Sequence, residues 1–319
     1  MSLPSAITYR GRTVLLKYHK LQSGYSRCPP NSLSALREIL QDARAIEFDV
    51  RLLGDGTYAL LHEERLEAET TGMGPVRSLT ADSLKSLRLR GWDEPPALLR
   101  EIVEVLRGHD SSLKVQVDLK ELLPLSRREL MVLLRELEPL REAGQFTVVV
   151  SSMADWNLRT LRRLDPTLPV GFDIALHLDA PVGDAARLPV RVNAYGYLDD
   201  HPLGFHRVLP VADYLQDRLE TLLRVVDPLQ EVYLRKEFVL QALGEGVNPI
   251  EVVHRYGGIL VDVWTFHATD PQMARELVTV LDAGADQVTT GTPATLPDLL
   301  RDLVTRQNPE TGEAPVASV

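Results

Sequence analysis

Short apolar runs alternate regularly with amphipathic segments along most of the 319 residues, which predicts an α/β fold. Two further observations predict its closed form, a (β/α)8 TIM barrel with a small insertion after the third strand. The strand-like runs number close to eight, and polar residues otherwise scarce in strands gather at one end of them.

The first run is Thr13 to Tyr18, closed by His19 and Lys20. A loop ending in Cys28-Pro29-Pro30 leads to a helix over Leu33 to Asp42, which Asn31 or Ser32 can cap. The next run, Ala45 to Leu52, carries Glu47 and Asp49. Strand side chains alternate faces, so a spacing of two aims both carboxylates to one side. A Gly54-Asp55-Gly56 turn leads into a third run, Thr57 to Leu61, ending in His62. Residues 63–96 break the rhythm with Thr70-Thr71-Gly72-Met73-Gly74-Pro75 and Pro95-Pro96, and read as an excursion from the scaffold.

Beyond a helix over Ala97 to Arg107 the alternation is regular. Strand Leu113 to Leu119, with Asp118 and Lys120 at its end, precedes helix Ser126 to Ala143, which Gly144 stops. Strand Phe146 to Ser151 precedes helix Ala154 to Leu164. Strand Pro169 to Ile174, with Asp173, precedes a second irregular stretch at 176–212. Helix Tyr214 to Val226, strand Glu231 to Arg235, helical turns to Tyr256 and strand Gly258 to Thr265 follow. Helix Pro271 to Ala283, strand Asp286 to Thr290 and a closing helix to about Val304 complete the pattern. That makes nine strand candidates, one more than the barrel holds; the ninth is an extra hairpin strand or a misassigned run. Residues 1–305 are expected to form one barrel domain and 306–319 a flexible tail.

Composition narrows the function. Hydrophobic residues at 44% and charged residues at 25% are the balance of an ordinary globular chain with a sizeable core. A formal charge of −10 disfavours non-specific binding to nucleic acid and anionic membranes. A single cysteine, Cys28, rules out an internal disulfide and reads as a passive small hydrophobe. No apolar stretch approaches the roughly 20 residues of a membrane span, so no stable membrane insertion is expected. Met1 to Arg12 has no apolar core of a signal peptide, so a cytoplasmic location is the expectation.

In a (β/α)8 barrel the working residues sit at the carboxyl ends of the strands. His19, Lys20, Glu47, Asp49, His62, Asp118, Lys120 and Trp264 all fall there. Converging buried carboxylates demand a metal or lysines, and oxygen-only donors suit a hard metal cation, Mg2+ or Ca2+. His177, His201 and His206, in the second irregular stretch, read as solvated loop histidines before they read as a second metal site. Arg235 and Lys236 end a strand and are further candidates to meet an anion.

Read together, these motifs resemble the glycerophosphodiester phosphodiesterase family. The likeness spans about residues 13–300 and rests on an ordered set. It runs through His19-Lys20, Pro29-Pro30-Asn31-Ser32, Glu47-Phe48-Asp49, Asp55-Gly56, His62-Glu63 and Thr70-Thr71-Gly72-Met73-Gly74. It continues with Asp118-Leu119-Lys120, Trp264-Thr265 and Thr290-Gly291-Thr292-Pro293. The chain departs from the family pattern at Lys20 for Arg, Pro30 for Glu, Glu63 for Asp, Asp118 for Glu and Gly291 for Asp.

The resemblance implies a (β/α)8 barrel, with Glu47, Asp49 and Asp118 holding one divalent cation and His19 and His62 acting as the acid/base pair. Lys20, Lys120 and Trp264 would meet a small-molecule glycerophosphodiester, which the enzyme would split into an alcohol and glycerol 3-phosphate. The alternatives are a substrate-drifted or non-catalytic barrel that binds a phosphodiester, and a phospholipase D-like headgroup hydrolase. Headgroup, metal, oligomeric state and the attacking oxygen stay open at this stage.

Overall fold

A computed structural model describes residues 3–25, 27–178, 210–269, 271–307 and 316–318. Its strands, in chain order, are β1 (Ala6–Tyr9), β2 (Arg12–Tyr18), β3 (Ala45–Leu52), β4 (Tyr58–Ala59), β5 (Leu113–Leu119) and β6 (Phe146–Ser152). They continue with β7 (Val170–Asp173), β8 (Glu231–Arg235), β9 (Leu260–Phe266), β10 (Gln287–Thr290) and β11 (Val316–Ser318). Eight of them pair in parallel in the order β2-β3-β5-β6-β7-β8-β9-β10, and β10 returns to β2 to close the barrel.

The third predicted run is not a barrel strand. Only Tyr58–Ala59 is extended, and it lies antiparallel to Arg51–Leu52 of β3. The reason is connection length. A turn as short as Gly54-Asp55-Gly56 can reverse the chain but cannot carry the crossover of a dozen or more residues that a parallel neighbour needs. Gly56 takes the positive φ of that turn, +88°. The surplus strand candidate is therefore a hairpin arm on β3, and the 63–96 excursion hangs from it around its own small core of Leu53, Leu61, Leu66, Val76 and Leu84.

Two strands escaped the sequence pattern because they are short. β1 pairs antiparallel with β2 across an Arg10-Gly11 turn, and β11 pairs antiparallel with β1. Val316–Ser318 thus forms a strand inside the stretch expected to be a flexible tail.

Helices pack on the outside of the barrel. Leu99–Arg107 buries Leu99, Ile102, Val103 and Leu106, the spacing of one helical face. Arg127–Glu142 does the same with Leu130, Leu133, Leu134, Leu137 and Leu140, and starts at a Ser126–Glu129 capping box. Each such side chain contributes about 1.5–3 kcal/mol on leaving water. They meet the outward positions of the strands, such as Ile46, Phe48 and Val50 on β3 and Val115, Val117 and Leu119 on β5. No helix among the described residues is long and apolar enough to cross a membrane.

Many of the inward positions are polar, unlike the branched aliphatic filling usual in such barrels. Lys17 is fully buried and reaches Gln116 at 2.6 Å, Asp262 at 3.0 Å and Glu231 at 3.2 Å. Tyr233 donates to Glu231 at 2.8 Å, Thr289 donates to Asp262 at 2.7 Å, and Lys114 pairs with Glu231. The two lysines balance the two carboxylates, so this buried plug is close to neutral. The Tyr233 ring lies over Gly171, where a Cβ would stand 2.4 Å from the ring edge, and its face receives Lys17 at 4.6 Å.

Candidate active site

The polar column continues upward into the mouth of the barrel. Gln116 donates to Ser151 at 2.9 Å, and Ser151 donates to Asp118 at 2.8 Å. Asp118 belongs to a group with Glu47 and Asp49 in which one carboxylate oxygen from each lies within 4.8 Å of the others. β3 and β5 are adjacent and in register, with Asp49 beside Asp118, and strand alternation turns Glu47 inward with them.

Lys120, just past the end of β5, bridges two of these acids, at 2.6 Å from Asp118 and 3.0 Å from Asp49. Lys20 approaches Asp49 at 3.7 Å, and its backbone N–H donates to Glu47 at 2.8 Å. Lys20 and Leu21 both take left-handed φ values, 51° and 63°. Such residues persist only where the surroundings hold them. Here the Lys20 N–H goes to Glu47 and its carbonyl accepts the Asn31 N–H at 2.9 Å.

Burial dominates the electrostatics. It raises the Glu47 carboxyl well above the usual range, and the neighbouring Asp49 adds to the effect. Burial opposes charge on Asp49 as well, but the ammonium of Lys120, together with His62, Lys20 and the Asn31 hydrogen bond, holds it below the usual range. Burial likewise works against Lys120, and the carboxylates of Asp118, Asp49 and Glu47 keep it charged. Desolvation drives the His19 imidazole down to about 3, so that ring is neutral at ordinary pH.

His19 and His62 line the same cavity as this cluster. His62 lies in the loop beyond the hairpin arm, not at the end of a barrel strand. That loop is pinned by Glu69, which accepts the N–H groups of His62 and Glu63 at 2.9 Å each, and by Arg51, which donates to the His62 carbonyl at 2.7 Å. The His62 Nδ1 meets Glu63 Oε1 at 2.7 Å. Trp264 lines the cavity from β9, with Arg235 over its ring at 5.9 Å. The cavity offers about 170 Å3, room for a phosphate-sized anion and its immediate substituents.

All eight residues singled out from the sequence thus meet at one mouth. Lys236 is engaged by Glu276 at 2.9 Å and Glu237 at 3.1 Å. His177 is buried against Phe172, 3.7 Å from Asp155, away from the acidic cluster. His201 and His206, with most of the 176–212 stretch, lie outside the described residues.

Sequence reasoning missed Asn31 as a partner of Asp49. It also missed Gln116, Met153, Tyr233, Thr265 and Thr289, which line the cavity, and left Asp173, on the same wall, unassigned. A signal existed for several. Lys114-x-Gln116-x-Asp118, Glu231-x-Tyr233 and Gln287-x-Thr289 repeat polar residues at period two on runs otherwise apolar.

The donor set fits a hard divalent cation. Three carboxylates converge in a buried place, and with all three ionised they exceed the two ammoniums of Lys20 and Lys120 by one charge.

Fold and cavity together define a (β/α)8-barrel enzyme with an acidic cluster that could hold a divalent cation at the carboxyl ends of its strands. The chain belongs to the glycerophosphoryl diester phosphodiesterase family, whose pattern matches residues 23–295. A glycerophosphodiester phosphodiesterase from Caldanaerobacter subterraneus subsp. tengcongensis is 25% identical over 190 residues, 56% of this chain and 72% of that protein. Human glycerophosphodiester phosphodiesterase 1 is 29% identical over 118 residues, 34% of this chain and 32% of its own length. Among solved structures, an Oleispira antarctica phosphodiesterase in complex with the product sn-glycerol-3-phosphate shares the fold, with a TM-score of 0.60 and 18% identity. That match covers 89% of this chain and 96% of the other.

Proposed function

We propose that this protein is a metal-dependent hydrolase of glycerophosphodiesters, releasing an alcohol and glycerol 3-phosphate. One observation carries the reading: two imidazoles, His19 and His62, and the Glu47/Asp49/Asp118 cluster face a single cavity. The family membership and the product named for the Oleispira antarctica phosphodiesterase support it.

Glu47, Asp49 and Asp118 would hold Mg2+ or Ca2+, which when bound supplies positive charge against a phosphate oxygen. Lys20 and Lys120 bind and orient the phosphodiester anion from the same wall. Buried and neutral, His19 takes the proton of the attacking oxygen, whether water or a neighbouring substrate hydroxyl. As the new P–O bond forms, the bond to the departing alcohol breaks; attack by water gives glycerol 3-phosphate at once, and attack by the substrate hydroxyl gives a cyclic phosphate that water then opens to glycerol 3-phosphate. His62, whose Nδ1 is held by the Glu63 carboxylate at 2.7 Å, donates a proton to the departing alkoxide. An alkyl alkoxide leaves poorly, so this donation is where the site earns its rate. Trp264 forms a wall that excludes water from one side.

The test is a panel of glycerophosphocholine, glycerophosphoethanolamine and glycerophosphoglycerol with the purified chain and Mg2+ or Ca2+, with glycerol 3-phosphate measured. Release from at least one substrate is expected. No release from any substrate with either metal overturns the proposal.

A further inference from the structure

The two imidazoles of the cavity are held differently. His62 has a carboxylate partner, Glu63, at 2.7 Å. Among the described residues, no hydrogen bond reaches a ring nitrogen of His19. What stands against the His19 ring is another imidazole, His267, with centroids 6.3 Å apart and planes at 64°. An imidazole that moves protons needs a neighbour to fix its orientation, because an unsupported side chain samples several rotamers.

His267 follows β9 directly and is half-buried. It can sit there because residue 291 has no side chain. A Cβ on Gly291 would lie 2.5 Å from the His267 Cε1 and 2.9 Å from its Nδ1, closer than real contacts allow. Gly291 is not among the glycines with positive φ, so space and not backbone conformation is what calls for glycine. The likeness to the family pattern puts an Asp at this place. In this chain the volume of that side chain is taken by the ring of residue 267. Both sides of the contact are fastened, since the Ala268 N–H donates to Thr292 Oγ1 at 2.7 Å and the Thr292 N–H donates to Thr290 Oγ1 at 3.0 Å.

We infer that His267 is a positioning residue for His19: its ring fills the space over Gly291 and keeps the His19 ring turned to the cavity. The inference rests on the reading of His19 as a proton-transfer group. His267 and Gly291 form one device, and either partner alone is insufficient. Burial holds the His267 imidazole below its usual range, and the ammoniums of Lys20 and Lys236 act in the same direction.

The experiment is a set of four variants with steady-state kinetics. His267→Ala is expected to lower kcat about tenfold with KM within about twofold, the pattern of a misplaced reacting group. His267→Phe, which keeps a ring edge against His19, is expected to restore at least half of kcat. Gly291→Ala is expected to lower kcat alone, by displacing the ring, and to cost nothing further in the His267→Ala background. Wild-type kcat in His267→Ala, no rescue by Phe, or additive losses in the double variant would each overturn the inference. The ring resonances of His19, followed by NMR in the ligand-free labelled chain, need no turnover. One sharp set in wild type and several or broadened sets in His267→Ala are expected, and identical spectra contradict the inference even if the hydrolytic reading fails.

Discussion

Asn31 and Asp49 are joined by two hydrogen bonds that run in opposite directions. The Asn31 Nδ2 donates to Asp49 Oδ2 at 2.8 Å, and the Asp49 backbone N–H donates to Asn31 Oδ1 at 3.1 Å. Asn31 takes a left-handed φ of 56°, which asparagine tolerates better than most residues. Asn31→Ala removes both bonds and leaves a buried N–H unpaired, at a cost of about 1–3 kcal/mol. Affinity for Mg2+ or Ca2+ is expected to fall about 10–100-fold, the usual cost of removing a partner that orients a ligand. Calorimetric titration of both proteins checks this; equal affinities would contradict the role given to Asn31.

In the proposed reaction Glu63 acts through its contact with the His62 Nδ1 at 2.7 Å. Glu63→Gln keeps the size of the side chain and removes the carboxylate that holds the His62 Nδ1 at 2.7 Å. kcat is expected to fall about tenfold, whereas His62→Ala is expected to fall about 10²–10⁴-fold. Stopped-time assays of the two variants on one substrate give the ratio. A Gln variant as impaired as the Ala variant would mean that Glu63 touches substrate itself.

The plug below the site is a stability element. Lys17 has no exposure and ties Asp262 and Glu231 together. Lys17→Met leaves two buried carboxylates short of a cation, and breaking such a network costs about 3–5 kcal/mol. With about 2–4 °C lost per kcal/mol in a chain of this size class, a drop in Tm on the order of 10 °C is expected in a thermal melt. A drop under a few degrees would show that Lys114 alone balances the plug.

Glu136 titrates with a definite sign. Burial pushes its carboxyl up to about 7, and one of its oxygens is buried without a hydrogen bond. The unfolded carboxyl ionises near about 4.3. Between those values the folded chain keeps a proton that the unfolded chain has released. Stability therefore declines as pH rises through the window, and the penalty is complete above about 7. Glu136→Gln is expected to raise Tm relative to wild type at pH 8 and to leave it nearly unchanged at pH 4, by scanning calorimetry. An equal gain at both pH values would refute the titration account.

How much of this was written in the sequence differs by element. Ala45–Leu52, Leu113–Leu119 and Glu231–Arg235 match the structure residue for residue, because a strand buried on its outer face and polar on its inner one shows both its length and its period. Thr57–Leu61 looked the same, and only the length of its connection separates a hairpin arm from a barrel strand. The convergence of Glu47, Asp49 and Asp118 was legible because their spacing and strand ends place them together. The Asn31–Asp49 and His19–His267 contacts were not, since each joins residues from different elements whose approach depends on left-handed backbone or on the missing side chain of Gly291. Such contacts carry no period that a single sequence displays.

Release of glycerol 3-phosphate by wild type and by His62→Ala, each with the cation and with an excess of chelator, tests the central claim most directly. Turnover is predicted only for the wild type with cation present, and readdition of Mg2+ or Ca2+ after chelation is predicted to restore it. Equal release in all four samples, or release by wild type that chelator leaves untouched, would contradict a metal-dependent site built on Glu47, Asp49 and Asp118.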